Sequence, residues 1–337
     1  MSNLTQFLPP GKTAPRIARM AVSNWVMRTC PNTNRWNAIA WNGILFAAVG
    51  DNGTGNRVMT SPDGITWTSR TSAADNAWGG IAWNGTLFVA VSQDGASQVM
   101  TSPDGITWTA RTAAVASAWK GIAWNGTVFA VVARDGVGNR VMTSPDGITW
   151  TARTAAADNS WQAIAWNGTL FAVVGHSGSG DRVMTSPDGI TWTSRTSAAD
   201  NGWMGIAWNG TVFAAVSQTG STNRVMTSPN GITWTARTTT ADDWQAIAWN
   251  GSLFVCVSNE NGQIQTSPDG ITWTNRTAAS QDNWRSIAWN GLGPAPMYLL
   301  PTPGSATAGT VFVSPAYIGL GTNRVMTCHF SKFGSPT

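Results

Sequence analysis

The apolar residues of this chain fall into short bursts that return at a fixed distance. Between Trp78 and Thr112 four bursts read as strands a to d: Trp78–Trp83, Thr86–Val91, a third centred on Gln98–Thr101, and Thr107–Thr112. Each is short, carries β-branched or aromatic residues, and is bounded by Gly, Asn, Asp or Pro, the residues that punctuate strands with turns. Asn84-Gly85 between a and b predicts a two-residue type I′ hairpin turn, because this dipeptide tolerates positive φ. Strand b is apolar at successive positions, so its sheet must be covered on both faces.

The phrase Ile-Ala-Trp-Asn-Gly recurs with its Trp at 41, 83, 124, 166, 208, 249 and 289, a period of 40 to 42 residues. Four strands at that period are the pattern of propeller blades, in which each unit buries its faces against two neighbours. The reading is all-β: a seven-bladed β-propeller with four antiparallel strands per blade, over residues 22–328. Strand d, Trp-Thr-x-Arg-Thr, follows six c strands, and its seventh copy stands near the N-terminus as Trp25-Val-Met-Arg28-Thr29. The seventh c strand, Asn323–Thr327, is close to the C-terminus. One blade is therefore expected to combine residues 22–29 with C-terminal strands, which removes open sheet edges.

Between c and d lies Ser61-Pro-Asp63-Gly64-Ile-Thr66-Trp67, repeated from Ser102, Ser144, Ser186, Ser228 and Ser267. It resembles the Asp-box, S-x-D-x-G-x-T-W, of bacterial neuraminidase-type repeats, with one residue fewer between Asp and Gly. The resemblance implies a propeller with this turn at the c-to-d position. Asp63, Asp104, Asp146, Asp188, Asn230 and Asp269 are the expected turn residues, each accepting backbone N–H bonds while Gly supplies positive φ. Regular, tryptophan-rich Asp-box propellers are similar to those of phage virion proteins and of bacterial seven-bladed lectins.

Composition narrows the function. Charged residues make up 11% of the chain, and Glu260 is the one glutamate, alongside two histidines, His176 and His329, and two tyrosines. The sialidases of the Asp-box family imply three clustered arginines, a Tyr–Glu couple and an acidic proton donor. No repeat supplies that set, and glycoside hydrolysis needs two placed carboxyl groups. The chain is expected not to be an enzyme, and no cofactor or metal is indicated. Cys30, Cys256 and Cys328 contain no CxxC pair. The formal charge of +4 comes from evenly spread arginines, so no nucleic-acid face is expected. No stretch is long and apolar enough for membrane insertion, and Met-Ser-Asn-Leu-Thr-Gln opens no Sec-type signal.

The seven Trp-Thr-x-Arg-Thr arginines fit an anion-binding role or, more simply, hydrogen bonds within the sheet. Trp36, Trp78, Trp119, Trp161, Trp203, Trp244 and Trp284 open strand a directly after the loops between blades. They fit sugar stacking or inter-blade packing, whereas Trp41, Trp67 and their equivalents are expected in the core. The a-to-b and c-to-d turns share one face and hardly change between repeats. The b-to-c loops share the other face with the blade connectors, and they differ, as in Ser92–Ser97 against Gly175–Gly180. Recognition is expected on that variable face.

Three irregular segments, the arm 1–21, the insertion 292–309 and the tail 329–337, emerge from the uniform face. The insertion has an apolar centre, Met297, Tyr298, Leu299 and Leu300, which suits anchoring. These features give a binding module of a virion, a tail, fibre or capsid-surface protein. Other virion proteins would hold the three segments, and a host-surface glycan would meet the loops. The alternatives are a free lectin with repeated inter-blade sites, located in the cytoplasm or released, and a purely structural virion spacer.

Overall fold

The computed structural model describes residues 21–22, 25–278, 280–290, 310–317 and 324–331. Six repeats form separate four-stranded antiparallel sheets with the strands in chain order. Blade 1 is Trp36–Trp41, Phe46–Gly50, Val58–Ser61 and Thr68–Arg70, and blade 6 is Trp244–Trp249, Phe254–Ser258, Ile264–Ser267 and Thr274–Arg276. Strand b is wholly buried in all six. Its alternate side chains enter two different clusters: Val89 and Val91 pack with Trp119 and Phe129 of the next blade, while Phe88 and Ala90 pack with Ala47 and Val49 of the previous one. This is the two-sided cover that the unbroken apolar run requires.

The expectation of seven four-stranded blades is corrected to six. The remaining sheet has six strands. Its strand a is broken into Asn283–Trp284 and Ala288–Trp289, both paired with Thr310–Tyr317, which in turn pairs with Arg324–Ser331. In the regular blades four loop residues tie a to b and fix their register; here the segment 292–309 intervenes and that local constraint is lost. The N-terminal strand is also two pieces. Val26–Thr29 pairs with Arg324–Thr327, as expected for strand d, and Ala21–Val22 pairs with Phe330–Ser331. Strand structure thus reaches into both the expected arm and the expected tail. Met297, Tyr298, Leu299 and Leu300 and the rest of the three irregular segments lie outside the described residues.

The a-to-b connection also differs from the two-residue hairpin. Trp83 pairs with Phe88, leaving a loop of four residues, Asn84–Leu87. Asn84 holds it by its side chain, accepting from the Thr86 and Leu87 N–H groups at 2.9 and 2.7 Å, while Gly85 takes φ +104°. An Asx turn explains the Asn-Gly pair as well as type I′ does.

Candidate functional site

The c-to-d turns behave as their chemistry predicts. In blade 4 the Asp188 carboxylate accepts from Ile190 N–H and Thr191 N–H at 2.8 and 3.1 Å and meets the Ser186 hydroxyl at 3.0 Å. Ser186 Oγ also accepts from Gly189 N–H, and the Trp192 indole donates to the Gly189 carbonyl. Asp63, Asp104, Asp146 and Asp269 repeat this, and Asn230 does so with its amide oxygen. The Ile190 N–H bond, together with that of Thr191, outweighs burial and holds the Asp188 carboxyl below the usual range. These groups are occupied in holding a turn.

The turns also bring one isoleucine each to the surface. Ile65, Ile106, Ile148, Ile190, Ile232 and Ile271 are 39% to 48% exposed. They form an interrupted apolar ring around the uniform face of a protein with few charges.

The seven strand-d arginines are sheet residues. Each donates its Nε to the hydroxyl of a strand-c threonine, from Arg70 to Thr60 at 2.9 Å through Arg276 to Thr266 at 2.8 Å, with Arg28 bonded to Thr327. Shallow grooves run beside some of them between blades. One of about 450 Å³ lies between Arg195–Ser197 and Ile232–Trp234, and a counterpart of about 430 Å³ lies between Met27–Pro31 and Ile65–Trp67.

Of the two roles open to the tryptophans that begin strand a, packing is the one found, and sugar stacking is corrected. Trp36, Trp78, Trp119, Trp161, Trp203, Trp244 and Trp284 are all 0% exposed, so no sugar ring can stack on them. The blade connectors cover them: the Trp161 indole donates to Ala157 O at 3.1 Å, and Trp78, Trp119, Trp203 and Trp244 do the same one connector after another. The Trp41 series is half-buried, and in the six regular blades its indole is tilted on the strand-b phenylalanine at 4.5 to 4.9 Å.

The variable face is more rigid than its sequence suggests. Arg57, Arg140, Arg182 and Arg224, just before strand c, turn back to bond carbonyls of their own b-to-c loops. Three of them also approach connector aspartates, Arg57 with Asp75, Arg140 with Asp158 and Arg182 with Asp200, at 3.6 to 3.7 Å. Asn76 of a connector donates to Ser97 O and sits where a Cβ on Gly95 would stand, so this loop requires glycine at φ +85°. Sequence reasoning passed over this second arginine series; its signal was the recurrent Arg-Val-Met at the start of strand c.

These braced loops surround a central channel of about 170 Å³. All six blades and the last sheet line it with equivalent residues. In the six regular blades the first Trp of strand a pairs across to strand b, then the register shifts, leaving the following residue as a bulge. A bulge re-aims its side chain. The residues at this point are Asn37, Gly79, Lys120, Gln162, Met204 and Gln245, with Arg285 the counterpart in the last repeat. They differ in every repeat but one pair, inside a strand that is otherwise nearly invariant. Next along strand a come Ala or Gly positions, with Ser286 in the last repeat, and then a belt of isoleucines, Ile39 to Ile287.

Above them, the first residues of the b-to-c loops form a polar rim. Arg35 and Asp51 are paired at 2.7 Å, Arg134 donates to Gln93 at 3.1 Å, and His176 and Gln218 meet through their Nε2 atoms at 3.0 Å. Burial, then Arg182 and Arg134, hold His176 below its ordinary pKa, so the ring is neutral near pH 7. Burial, then Arg285 and Arg134, hold the Lys120 ammonium down at about 8 against the opposing pull of Asp51. The Cys30 thiol is pushed up to about 12 by burial, and Cys256 is raised by the same cause, so neither is a nucleophile. Among the described residues no group of His, Cys, Asp and Glu could hold a metal ion.

No protein-family profile and no characterised protein matches the chain by sequence. Solved structures do. Virginiamycin B lyase from Staphylococcus aureus is similar at a TM-score of 0.71 and 11% identity, over 91% of this chain and 99% of that one. A chain of a mitotic checkpoint complex is similar at 0.65 and 11%, over 98% of each chain. The WD40 domain of Toxoplasma gondii coronin is similar at 0.57 and 10%, over 94% and 88%. At these identities the likeness is one of fold: the chain is a β-propeller of four-stranded antiparallel blades.

Proposed function

We propose that the protein is a non-enzymatic binding module of a phage virion, a tail, fibre or capsid-surface component. The carrying observation is the contrast between its two faces. One bears the same isoleucine on the c-to-d turn of six repeats, and the other gathers the residues that differ between repeats around a braced funnel. Equivalent isoleucines repeated on one face suit permanent attachment, since weak contacts presented together act multivalently. A rigid scaffold with variable side chains suits recognition of a host surface or glycan. In this reading the six-stranded sheet stands as the seventh blade and closes the ring, and residues 1–21, 292–309 and 329–337 contact neighbouring virion proteins. Catalysis is not part of it: His176 faces an amide rather than a carboxylate, and the turn aspartates are engaged by backbone N–H groups.

The test is assembly. Ile106, Ile148, Ile190 and Ile232 changed together to Ser should leave the fold intact and abolish incorporation into particles; normal incorporation would remove the mounting face from the proposal. Incubation with quinupristin, the molecule held by one of the similar lyase structures, should leave that molecule unchanged. The inter-blade grooves beside Arg28 and Arg195 favour a second reading, a lectin with repeated rim sites. Glycan binding by the isolated protein that Arg195→Ala weakens and Lys120→Gln does not would select it.

A further inference from the structure

The recognition role proposed for the variable face leaves its ligand open, and the channel mouth narrows the choice. Seven homologous positions converge there, and three hold amides, Asn37, Gln162 and Gln245, while two hold cations, Lys120 and Arg285. Arg134 stands on the rim above Lys120 and adds to the positive field. Among the described residues no hydrogen bond or salt bridge ties down the Lys120 ammonium. The one carboxylate that acts on it, Asp51, is already paired with Arg35 at 2.7 Å. A lysine in a narrow bore beside two arginines is unfavourable to the fold, because like charges repel and water is restricted. Its neighbours do not compel a charge there: equivalent positions carry Gly79 and Met204.

We propose that the funnel on the variable face binds the oxyanion of a small ligand, a carboxylate or phosphate group, on the Lys120 ammonium. Arg285 and Arg134 flank the anion, and the amides of Gln162 and Gln245 serve its polar substituents. The bore of about 170 Å³ admits one small group and excludes a polymer chain, so a larger ligand enters by a terminal residue. Lys, a compact ammonium with three donors, suits an anion approaching end-on along a channel. The neck beneath offers one polar side chain, Ser286, among Ala and Gly, and the isoleucine belt offers none, so the cations hold the anion at the mouth.

Calorimetric titration of the intact protein with glucuronate, inorganic phosphate and, as neutral control, glucose tests this, with chloride at matched ionic strength in every cell. Saturable binding of glucuronate or phosphate is expected, with none of glucose. Lys120→Gln should weaken it at least tenfold and Lys120→Arg should retain it. Tighter binding of glucuronate assigns the group to an acidic sugar, and tighter binding of phosphate assigns it to a phosphorylated one. Lack of saturable binding by either anion, or unchanged binding in a folded Lys120→Gln protein, would overturn the site. Attachment to a host surface is a separate readout: an anion that binds in solution but fails to compete there leaves the site standing and removes the recognition role.

Discussion

Arg28 donates its Nε to the hydroxyl of Thr327 across 3.0 Å, a bond between residues 299 positions apart. The same bond joins Arg to Thr ten positions apart in six blades. The chain ends therefore reproduce, across the whole sequence, a contact that every other repeat makes locally. Replacing Arg28 or Arg153 by Ala should cost a similar amount, about 1 kcal/mol for one half-buried hydrogen bond. Deleting residues 22–29 should do far more, because it strips the partner from Arg324–Thr327 and leaves an open ladder. Size-exclusion chromatography should show aggregated species for the deletion and a monomeric, slightly less stable protein for Arg28→Ala. An equally stable, soluble deletion product would show that this strand closes nothing.

How far the sequence could be read depends on what each residue's environment is made of. The blade repeat, strand a from Trp78 to Trp83, the paired termini and the Asp188-type turns are local patterns, and they stand where the sequence puts them. The burial of Trp161 is not local. It opens a strand next to a connector, a place that fits stacking or packing alike, yet Ala155, Ala156 and Ala157 pack on its cluster and the Ala157 carbonyl accepts its indole N–H. The small alanines were the only signal. The channel residues were readable in principle, since Lys120 and Gln162 occupy the most variable point of a nearly constant strand. Their convergence needed the bulge that turns them inward, and no residue type announces that bulge.

The buried indoles make a sharp prediction about stability. Trp161 is 0% exposed and packs with Val132, Ile164 and Phe171. Trp161→Ala should cost about 3 to 5 kcal/mol, the range for emptying a large aromatic site in a close-packed core. Trp161→Phe should cost less and keep the fold. Thermal melting followed by circular dichroism distinguishes these, and any glycan binding by Trp161→Phe should equal that of the parent.

The turn aspartates tie stability to acid. Their folded pKa values are lowered, so their contribution is present above the unfolded carboxyl value near 3.8 and is lost as pH falls through the lower folded value. Asn230 performs the same turn without a titrating group. Changing Asp63, Asp104, Asp146, Asp188 and Asp269 to Asn should flatten the loss of stability below pH 4, measured by urea unfolding from pH 6 to pH 2. Asp188→Ala should instead lower stability at every pH, by about 1 kcal/mol for the bonds lost.

Lys120 gives the opposite pH signature. Its folded pKa, about 8, lies below the unfolded value of 10.5, so the unfolded chain binds more protons between those limits. Stability should therefore rise with pH across that window, and the cost of the buried charge is fully present below pH 8. Lys120→Gln should raise the melting temperature at pH 7, with a ceiling of about 3 kcal/mol from the size of the shift. The advantage should fade as pH rises past 10.5, where the unfolded lysine loses its proton as well. Phosphate or glucuronate at saturating concentration should stabilise the parent at pH 7 and not at pH 10, because the anion needs the ammonium. A Lys120→Gln protein no more stable than its parent at pH 7 would mean that water reaches the ammonium freely, and the channel mouth would then hold no stored charge for a ligand to neutralise.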